Sequence, residues 1–234
     1  MAQLSLKDAR LVDEPPLANA GRRAWLVAAI ALLLLFFAIA LAVHQRLLAP
    51  VDVALTAWVV GWRTCESLVW GVWVAPLVAA EVSVAVSLGI MAFLWRRGWG
   101  WRAGWPMLMY LSVPIEFAAK TWVVQPTPAA TFPFPEACSV PGYPLISVST
   151  AYSLPSGYAI RLVYFAVLGA YALHRTLPPS LRLPVLVVVG VATVVLAGSR
   201  VLLTWHWPSD VIAGAALGAS LAGFTLAALR SPRS

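Results

Sequence analysis

Residues 24–43 read AWLVAAIALLLLFFAIALAV, an apolar run that contains no charged side chain. A helix needs about 20 such residues to cross the hydrocarbon core of a bilayer. The run is longer than the roughly 7 to 15 apolar residues of a signal peptide, which favours a retained membrane anchor over a cleaved leader. The sequence therefore predicts a transmembrane helix here.

The rest of the chain has the same apolar character. Of its 234 residues, 61% are hydrophobic and only 11% are charged, too few polar residues to cover a soluble core. Further runs that are long and apolar enough to cross a bilayer cover residues 67–95, 103–124, 154–173, 184–204 and 209–229. We therefore expect an all-α protein with one domain, a six-transmembrane-helix bundle over residues 24–230 with short tails at 1–23 and 231–234.

The basic residues are distributed on alternate connections between the predicted spans. Cytoplasmic loops near span ends carry an excess of Lys and Arg. One side of the predicted bundle holds Lys7, Arg10, Arg22, Arg23, Arg96, Arg97, Arg102, Arg175, Arg182, Arg230 and Arg233. This distribution predicts that both tails are cytoplasmic, in the plasma (inner) membrane. It also accounts for the net charge of +7 without a nucleic-acid partner, because the basic residues form no clustered patch.

The predicted topology places both cysteines on the non-cytoplasmic side. Cys65 and Cys138 follow the first and third spans, where an oxidising compartment permits a disulfide. Two unbonded, unrelated cysteines are the alternative. Their spacing is not typical of metal ligands, and we expect no metal and no other cofactor. Cys138 lies in a long connection, residues 125–153, whose prolines disfavour regular helix. Loops of this length are commonly functional, so we expect it to cover a site.

The residues best suited to chemistry lie at the non-cytoplasmic end of the fifth predicted span. Ser199-Arg200 is followed after five residues by His206 and after three more by Asp210. Arg200 offers a planar fork of donors for phosphate oxygens, and Ser199 adds a hydroxyl. Pro208 suits the first turn of a helix, so Asp210 would lie one turn from His206 and bond its Nδ1 proton. Nε2 would then be free to attack phosphorus.

The pattern S-R-x5-H-x3-D resembles the third signature of the type 2 phosphatidic acid phosphatase superfamily, which also contains the vanadium haloperoxidases. The second signature of that family, P-S-G-H, is similar to residues 155–158, with Tyr158 in place of the histidine. The first signature, K-x6-R-P, is similar to residues 120–128, with Thr127 in place of the arginine. The resemblance covers roughly residues 120–210 and implies a six-helix bundle with a phosphate site on one membrane face.

The resemblance also implies a role for each matching residue. His206 would form a phosphohistidine, and Asp210 would orient its ring. The phosphate oxygens would be bound by Lys120, Ser156, Gly157, Ser199 and Arg200. The family histidine replaced by Tyr158 protonates the leaving group, and loss of a general acid costs about 10²- to 10⁴-fold in rate. A tyrosine can donate a proton, but its pKa ordinarily lies well above neutral pH.

Two nearby charged residues bear on these substitutions. Arg161 lies one helical turn after Tyr158 and would direct a guanidinium toward the site in place of the missing arginine; an arginine that extends to the membrane interface is the alternative. Glu116 lies one turn before Lys120, and an ion pair would hold the lysine in place. A weak general acid would favour leaving groups that are stable as anions, so a lipid diphosphate such as a prenyl diphosphate would be a better substrate than phosphatidate.

Two functions fit this sequence. The first is a phosphatase or phosphotransferase that acts on a lipid phosphate at the extracytoplasmic surface through His206, without a metal. The second is a non-catalytic relative that binds a lipid phosphate or a protein partner, which Tyr158 and Thr127 would favour. A transporter finds support only in Glu81, an ionisable residue within the second predicted span. The sequence leaves the oligomeric state open.

Overall fold

The computed structural model describes residues 17–135, 138 and 152–230, and within those ranges the chain is helical or irregular, without a β-strand. The α-helices are α1 (Leu17–His44), α2 (Ala49–Val60), α3 (Cys65–Trp73), α4 (Ala80–Arg96), α5 (Ser112–Val123), α6 (Gly157–Thr176), α7 (Pro179–Leu202) and α8 (Pro208–Leu229). The 3₁₀ helices are Ala75–Val78, Gly100–Leu111 and Pro128–Ala130. The predicted all-α fold class is confirmed.

Helix α8 is the centre of the bundle. Most of its side chains are buried, and it packs along α1 and α6. Glycines bring α8 close to the α6 backbone, since a Cβ added at Gly214 would lie 2.5 Å from the Ser156 carbonyl oxygen and one at Gly218 would overlap the Ile160 carbonyl. This close approach holds the first turns of α6 and α8 side by side.

Several helices have the length and surface of membrane spans. Among the described residues, five helical segments are long and apolar enough to cross a bilayer, namely Gly21–His44, Cys65–Arg96, Gly157–Thr176, Pro179–Leu202 and Pro208–Leu229. Large apolar side chains face outward along α7, including Val188 and Val194, which are 67% and 72% exposed. An outward apolar surface is what a lipid environment requires.

The run predicted as the third span differs from a continuous α-helix. It is divided between the 3₁₀ helix Gly100–Leu111, which contains Pro106, and the short α5. Proline removes one main-chain donor and its ring excludes the preceding α-helical turn. The count of six spans and the cytoplasmic placement of both termini therefore stay predictions.

The second span is broken near its middle. α3 ends at Trp73 and α4 begins at Ala80, with Pro76 in the 3₁₀ helix between them. We call residues 74–79 the break. An interrupted helix leaves main-chain carbonyls without their usual donors. Glu81 lies in the first turn of α4 with an exposed side chain, so it points out of the bundle and not into it.

The ends of the domain differ slightly from the predicted limits. α1 begins at Leu17, before the apolar run that starts at residue 24, and its first turns include Arg22 and Arg23. Residues 1–16 and 231–234, most of the two predicted tails, lie outside the described residues. The division into residues 1–23, 24–230 and 231–234 stays a prediction.

A disulfide fastens part of the long loop to the bundle. Cys65, at the start of α3, is bonded to Cys138, with 5.3 Å between the Cα atoms. Cys138 also packs, together with Phe134 and Trp205, against a small core that contains Leu203. The pairing that the sequence left open is thus formed, and it lies next to the segment that joins α7 to α8.

Candidate active site

A tight turn between α7 and α8 carries His206. The N–H groups of Trp205 and His206 both donate to the carbonyl of Arg200, at 3.1 and 3.3 Å. Thr204, which precedes them, is fully buried and has a left-handed φ of +52°. This conformation is strained for a β-branched residue and persists only where surrounding contacts fix it. The turn therefore holds His206 firmly beside the end of α7.

The hydrogen bonds of His206 define which ring nitrogen carries the proton. Nδ1 lies 3.0 Å from the carbonyl oxygen of Ser153 and 3.7 Å from Oδ2 of Asp210. A carbonyl oxygen can only accept, so Nδ1 must be the protonated nitrogen. In the neutral ring the lone pair is then on Nε2, which has no hydrogen-bond partner within the described part of the chain.

Asp210 is fully buried in the first turn of α8. Its Oδ2 accepts the main-chain N–H of Trp207 at 2.8 Å, as acidic residues in the first turn of a helix often do. At 3.7 Å from Nδ1, the carboxylate is beyond hydrogen-bond distance of His206 and acts on the ring by its charge. The predicted direct bond is replaced by one to the carbonyl of Ser153, a main-chain group that no residue type in the sequence reveals.

Hydrogen bonds join the three signature regions at one end of the bundle. They run from Ser153 N to Gln125 O (2.8 Å), from Trp207 Nε1 to Pro126 O (2.8 Å) and from Ser156 N to Asp210 O (3.0 Å). The first and second link the loop after α5 to the other two regions, and the third links the starts of α6 and α8. Residues that are far apart in sequence are thus brought together.

The start of α6 meets a carboxylate from α5. Ser156 caps the helix, with its Oγ accepting the N–H of Ala159 at 3.4 Å. A Cβ added at Gly157 would lie 2.7 Å from Oε2 of Glu116, so this carboxylate lies directly against the first turn of α6. Its Oε1 pairs with Nζ of Lys120 at 2.8 Å, which is the predicted ion pair. Glu116 therefore occupies a position that suits an anion, between the lysine and a helix start.

Arg200 is almost completely buried, with 2% of its surface exposed. Its Nη2 donates to the carbonyl of Gly71 at 2.8 Å and to Oγ of Ser199 at 2.9 Å. Its guanidinium carbon lies 4.1 Å from the ring centroid of Tyr158 and 5.0 Å from that of Trp205. A desolvated cation–π contact is worth about 2 kcal/mol. The Tyr158 ring thus supports Arg200, a contact that the sequence did not predict.

Three side chains near the site donate to carbonyls in and next to the break. These bonds run from Arg200 Nη2 to Gly71 O (2.8 Å), from the Tyr158 hydroxyl to Val74 O (3.3 Å) and from Arg161 Nε to Val78 O (2.9 Å). Carbonyls freed inside a membrane must find donors on other helices, because lipid offers none. Arg161 was expected either to reach the site or to extend to the interface. Its Nε donates to the break, and its role in binding phosphate stays a prediction.

Asp52, on α2, is a site residue that the sequence reasoning missed. It is 3% exposed, and its carboxylate accepts the N–H of Ser209 at 2.9 Å and the Ser209 hydroxyl at 2.6 Å. Burial raises the pKa of Asp52 above its usual range. The carboxylate fixes the first turn of α8, next to Asp210. A lone acidic residue in an apolar helix was the available signal.

The two residues that depart from the family signatures, Tyr158 and Thr127, have no metal-binding cluster beside them in the part of the chain that the structure describes. His44 stacks on Trp122, with 4.6 Å between the ring centroids. Across residues 17–135, 138 and 152–230, no three His, Cys, Asp or Glu side chains are grouped closely enough to hold a metal ion. Thr127 precedes the 3₁₀ helix Pro128–Ala130.

Comparison with known proteins shows the family and the fold. Residues 104–232, more than half of the chain, match the family model described as the PAP2 superfamily. The crystal structure of the first transmembrane PAP2 type phosphatidylglycerolphosphate phosphatase from Bacillus subtilis is similar over 85% of this chain and 93% of that one, with a TM-score of 0.64 and 24% sequence identity. No curated protein sequence gives a significant match. The match includes all three signature regions, and this integral membrane protein belongs to the PAP2 superfamily.

Proposed function

We propose that this protein is a phosphatase or phosphotransferase that acts on a lipid phosphate through a phosphohistidine at His206. The observation that carries the proposal is the 3.0 Å contact between Nδ1 and the Ser153 carbonyl, which leaves the lone pair of the neutral ring on Nε2. A nucleophile held by an acceptor and placed beside a buried carboxylate is the arrangement that covalent catalysis uses.

The reaction would proceed in two displacements at phosphorus. Nε2 forms a bond to phosphorus while the bond from phosphorus to the leaving oxygen breaks, and the electron pair departs with that oxygen. The positive charge that develops on the ring is stabilised by Asp210, 3.7 Å from Nδ1. Water, or an acceptor alcohol in a transferase, then attacks phosphorus, loses a proton, and releases neutral His206 as the N–P bond breaks.

On binding, the phosphoryl oxygens would replace protein acceptors as the partners of Lys120 and Arg200. Lys120 pairs with Glu116, and Arg200 donates to Ser199, in the structure described. A bound phosphate would take the place of the Glu116 carboxylate at the start of α6, where Ser156 and Gly157 lie. Ser199 and Arg200 would contribute donors from the end of α7.

The position of Tyr158 supports a substrate with a good leaving group. Its hydroxyl donates to Val74 O at 3.3 Å, so in this structure it is directed at the break. When Nε2 attacks the terminal phosphorus of a lipid diphosphate, such as a prenyl diphosphate, the P–O bond of the anhydride breaks and the lipid monophosphate leaves as an anion that needs little protonation. We infer that such an anhydride is hydrolysed faster than a phosphate monoester of the same lipid.

Chemistry at the same end of the bundle supports an extracytoplasmic position for the site. The Cys65–Cys138 disulfide packs beside Trp205, the neighbour of His206. Disulfides form and persist in oxidising compartments. Together with the distribution of basic residues, this supports an extracytoplasmic site on a protein of the plasma (inner) membrane.

Phosphate release by the purified protein tests the proposal. A panel should contain a prenyl diphosphate, the matched monophosphate and phosphatidate. His206→Asn should abolish release, whereas His174→Asn, a change at an exposed histidine near the other end of α6, should leave it unchanged. Equal rates on the diphosphate and the monophosphate would contradict the substrate preference alone.

The alternative is a non-catalytic relative that binds a lipid phosphate. The observation that favours it is that Tyr158, Arg161 and Arg200 donate to carbonyls in and next to the break. Such a relative would bind lipid phosphates without hydrolysing them, and phosphate release would appear only in the Tyr158→His variant. Release by the unmodified protein that is lost in His206→Asn would exclude this alternative.

A further inference from the structure

A crevice lies at the end of the bundle opposite His206. It has a volume of about 600 Å³ and opens between α1, α5, α8 and the 3₁₀ helix Gly100–Leu111. On α8 its walls come from the last turns, Leu221 to Ala228, whereas His206 precedes the first turn of that helix. The crevice is therefore separate from the candidate active site.

The depth of the crevice matches one leaflet of a bilayer. On α1 its lining extends from Arg22 to Leu33, eleven residues apart in sequence. At a rise of about 1.5 Å per residue this is roughly 16 Å. The hydrocarbon core of a bilayer is about 30 Å thick, so the crevice has the length of one leaflet. Its deeper lining is apolar and includes Leu108 and Ile115.

The mouth of the crevice carries positive charge and aromatic side chains. Arg22 is exposed there, Arg102 is 9% exposed, and Trp101 and Trp105 lie beside them. The indole N–H of Trp105 is buried and has no acceptor among the described residues. A buried donor without an acceptor is costly. A ligand with negative charge and oxygen acceptors would complement the arginines at this mouth and supply an acceptor for the Trp105 N–H.

We propose that this crevice binds an anionic phospholipid of the leaflet opposite the active site. One acyl chain lies along the apolar lining and the phosphate lies between Arg22 and Arg102. The side chain of Trp105, whose N–H is covered in the structure described, turns toward the crevice so that a lipid oxygen accepts that N–H. Basic pockets between transmembrane helices bind anionic head groups in this way. The predicted topology makes this leaflet cytoplasmic. The site is independent of catalysis because its lining on α8 lies at the end of that helix, opposite His206.

Thermal unfolding of the full chain in detergent tests the proposal. Phosphatidylglycerol and phosphatidylcholine with identical acyl chains are added in turn, and the shift in melting temperature gives an apparent affinity. Phosphatidylglycerol should stabilise the protein, and phosphatidylcholine should not. Arg22→Gln should weaken phosphatidylglycerol binding about fivefold, since one basic residue near a membrane contributes roughly 1 kcal/mol.

The neighbouring arginine provides a matched control. Arg23 is also exposed on the first turns of α1 but does not line the crevice, so Arg23→Gln should bind as the unmodified protein does. Trp105→Phe keeps the aromatic ring, removes the N–H, and should also weaken binding. A groove that binds any amphiphile would be stabilised equally by the two lipids. Equal stabilisation would therefore overturn the proposal. Equal loss in Arg22→Gln and Arg23→Gln would overturn it as well.

Discussion

Phenylalanine in place of Tyr158 removes the hydroxyl and keeps the ring that lies against Arg200. The hydroxyl donates a long hydrogen bond, 3.3 Å, to Val74 O. A neutral bond of this kind is worth about 0.5 to 1.5 kcal/mol. If the ring is what the site uses, Tyr158→Phe should keep kcat/KM for a prenyl diphosphate within about tenfold of the unmodified protein.

Leucine at the same position removes the ring as well. The guanidinium of Arg200 lies 4.1 Å from the ring centroid of Tyr158, and loss of a desolvated contact of about 2 kcal/mol corresponds to roughly 30-fold in rate. Tyr158→Leu should therefore fall about 30-fold below Tyr158→Phe. Steady-state phosphate release in detergent micelles measures both.

A matched control comes from the other end of the same helix. Arg230 lies 5.2 Å from the Tyr171 ring and donates to its hydroxyl, so Tyr171→Phe changes a similar pair far from the site and should not alter the rate. If Tyr158→Phe and Tyr158→Leu both lose 10²- to 10⁴-fold in rate, the hydroxyl is a general acid. That result would refute the reasoning from the ring contact.

Four further predictions concern the residues around the site. Asp52→Leu should lower the free energy of unfolding by about 2 to 4 kcal/mol, because two buried donors of Ser209 lose their acceptor. Because burial raises the pKa of Asp52, stability should fall as pH rises from its ordinary value of 3.8 through the raised one, and Asp52→Asn should remove that dependence in thermal unfolding. Glu116→Gln should tighten vanadate binding about fivefold or more by isothermal titration, since it removes a carboxylate worth about 1 kcal/mol of repulsion even in water; unchanged or weaker binding would contradict the proposed exchange. Reduction of Cys65–Cys138, which spans 73 residues, should lower stability by about 2 to 4 kcal/mol, with the double serine variant as the reference for reductant effects.

The apolar runs show how far composition predicts a membrane fold. Spans such as 24–43 are recognised because bilayer thickness sets a minimum apolar length, and α1, α6, α7 and α8 agree with those predictions. The interruptions at Pro76 and Pro106 were visible as residue types. The length of an apolar run does not reveal such interruptions, because a single proline changes the mean hydropathy little but breaks the regular helix geometry.

The sequence by itself determined the family, the helical class and the residue types of the site, since these follow from composition and from short signatures with fixed spacing. Only the tertiary structure decided which groups meet. The acceptor for His206 is a main-chain carbonyl 53 residues away, and the partner of the Tyr158 ring is a guanidinium on another helix. Every residue has a carbonyl, so no pattern of side chains marks the one that packing brings to a particular nitrogen.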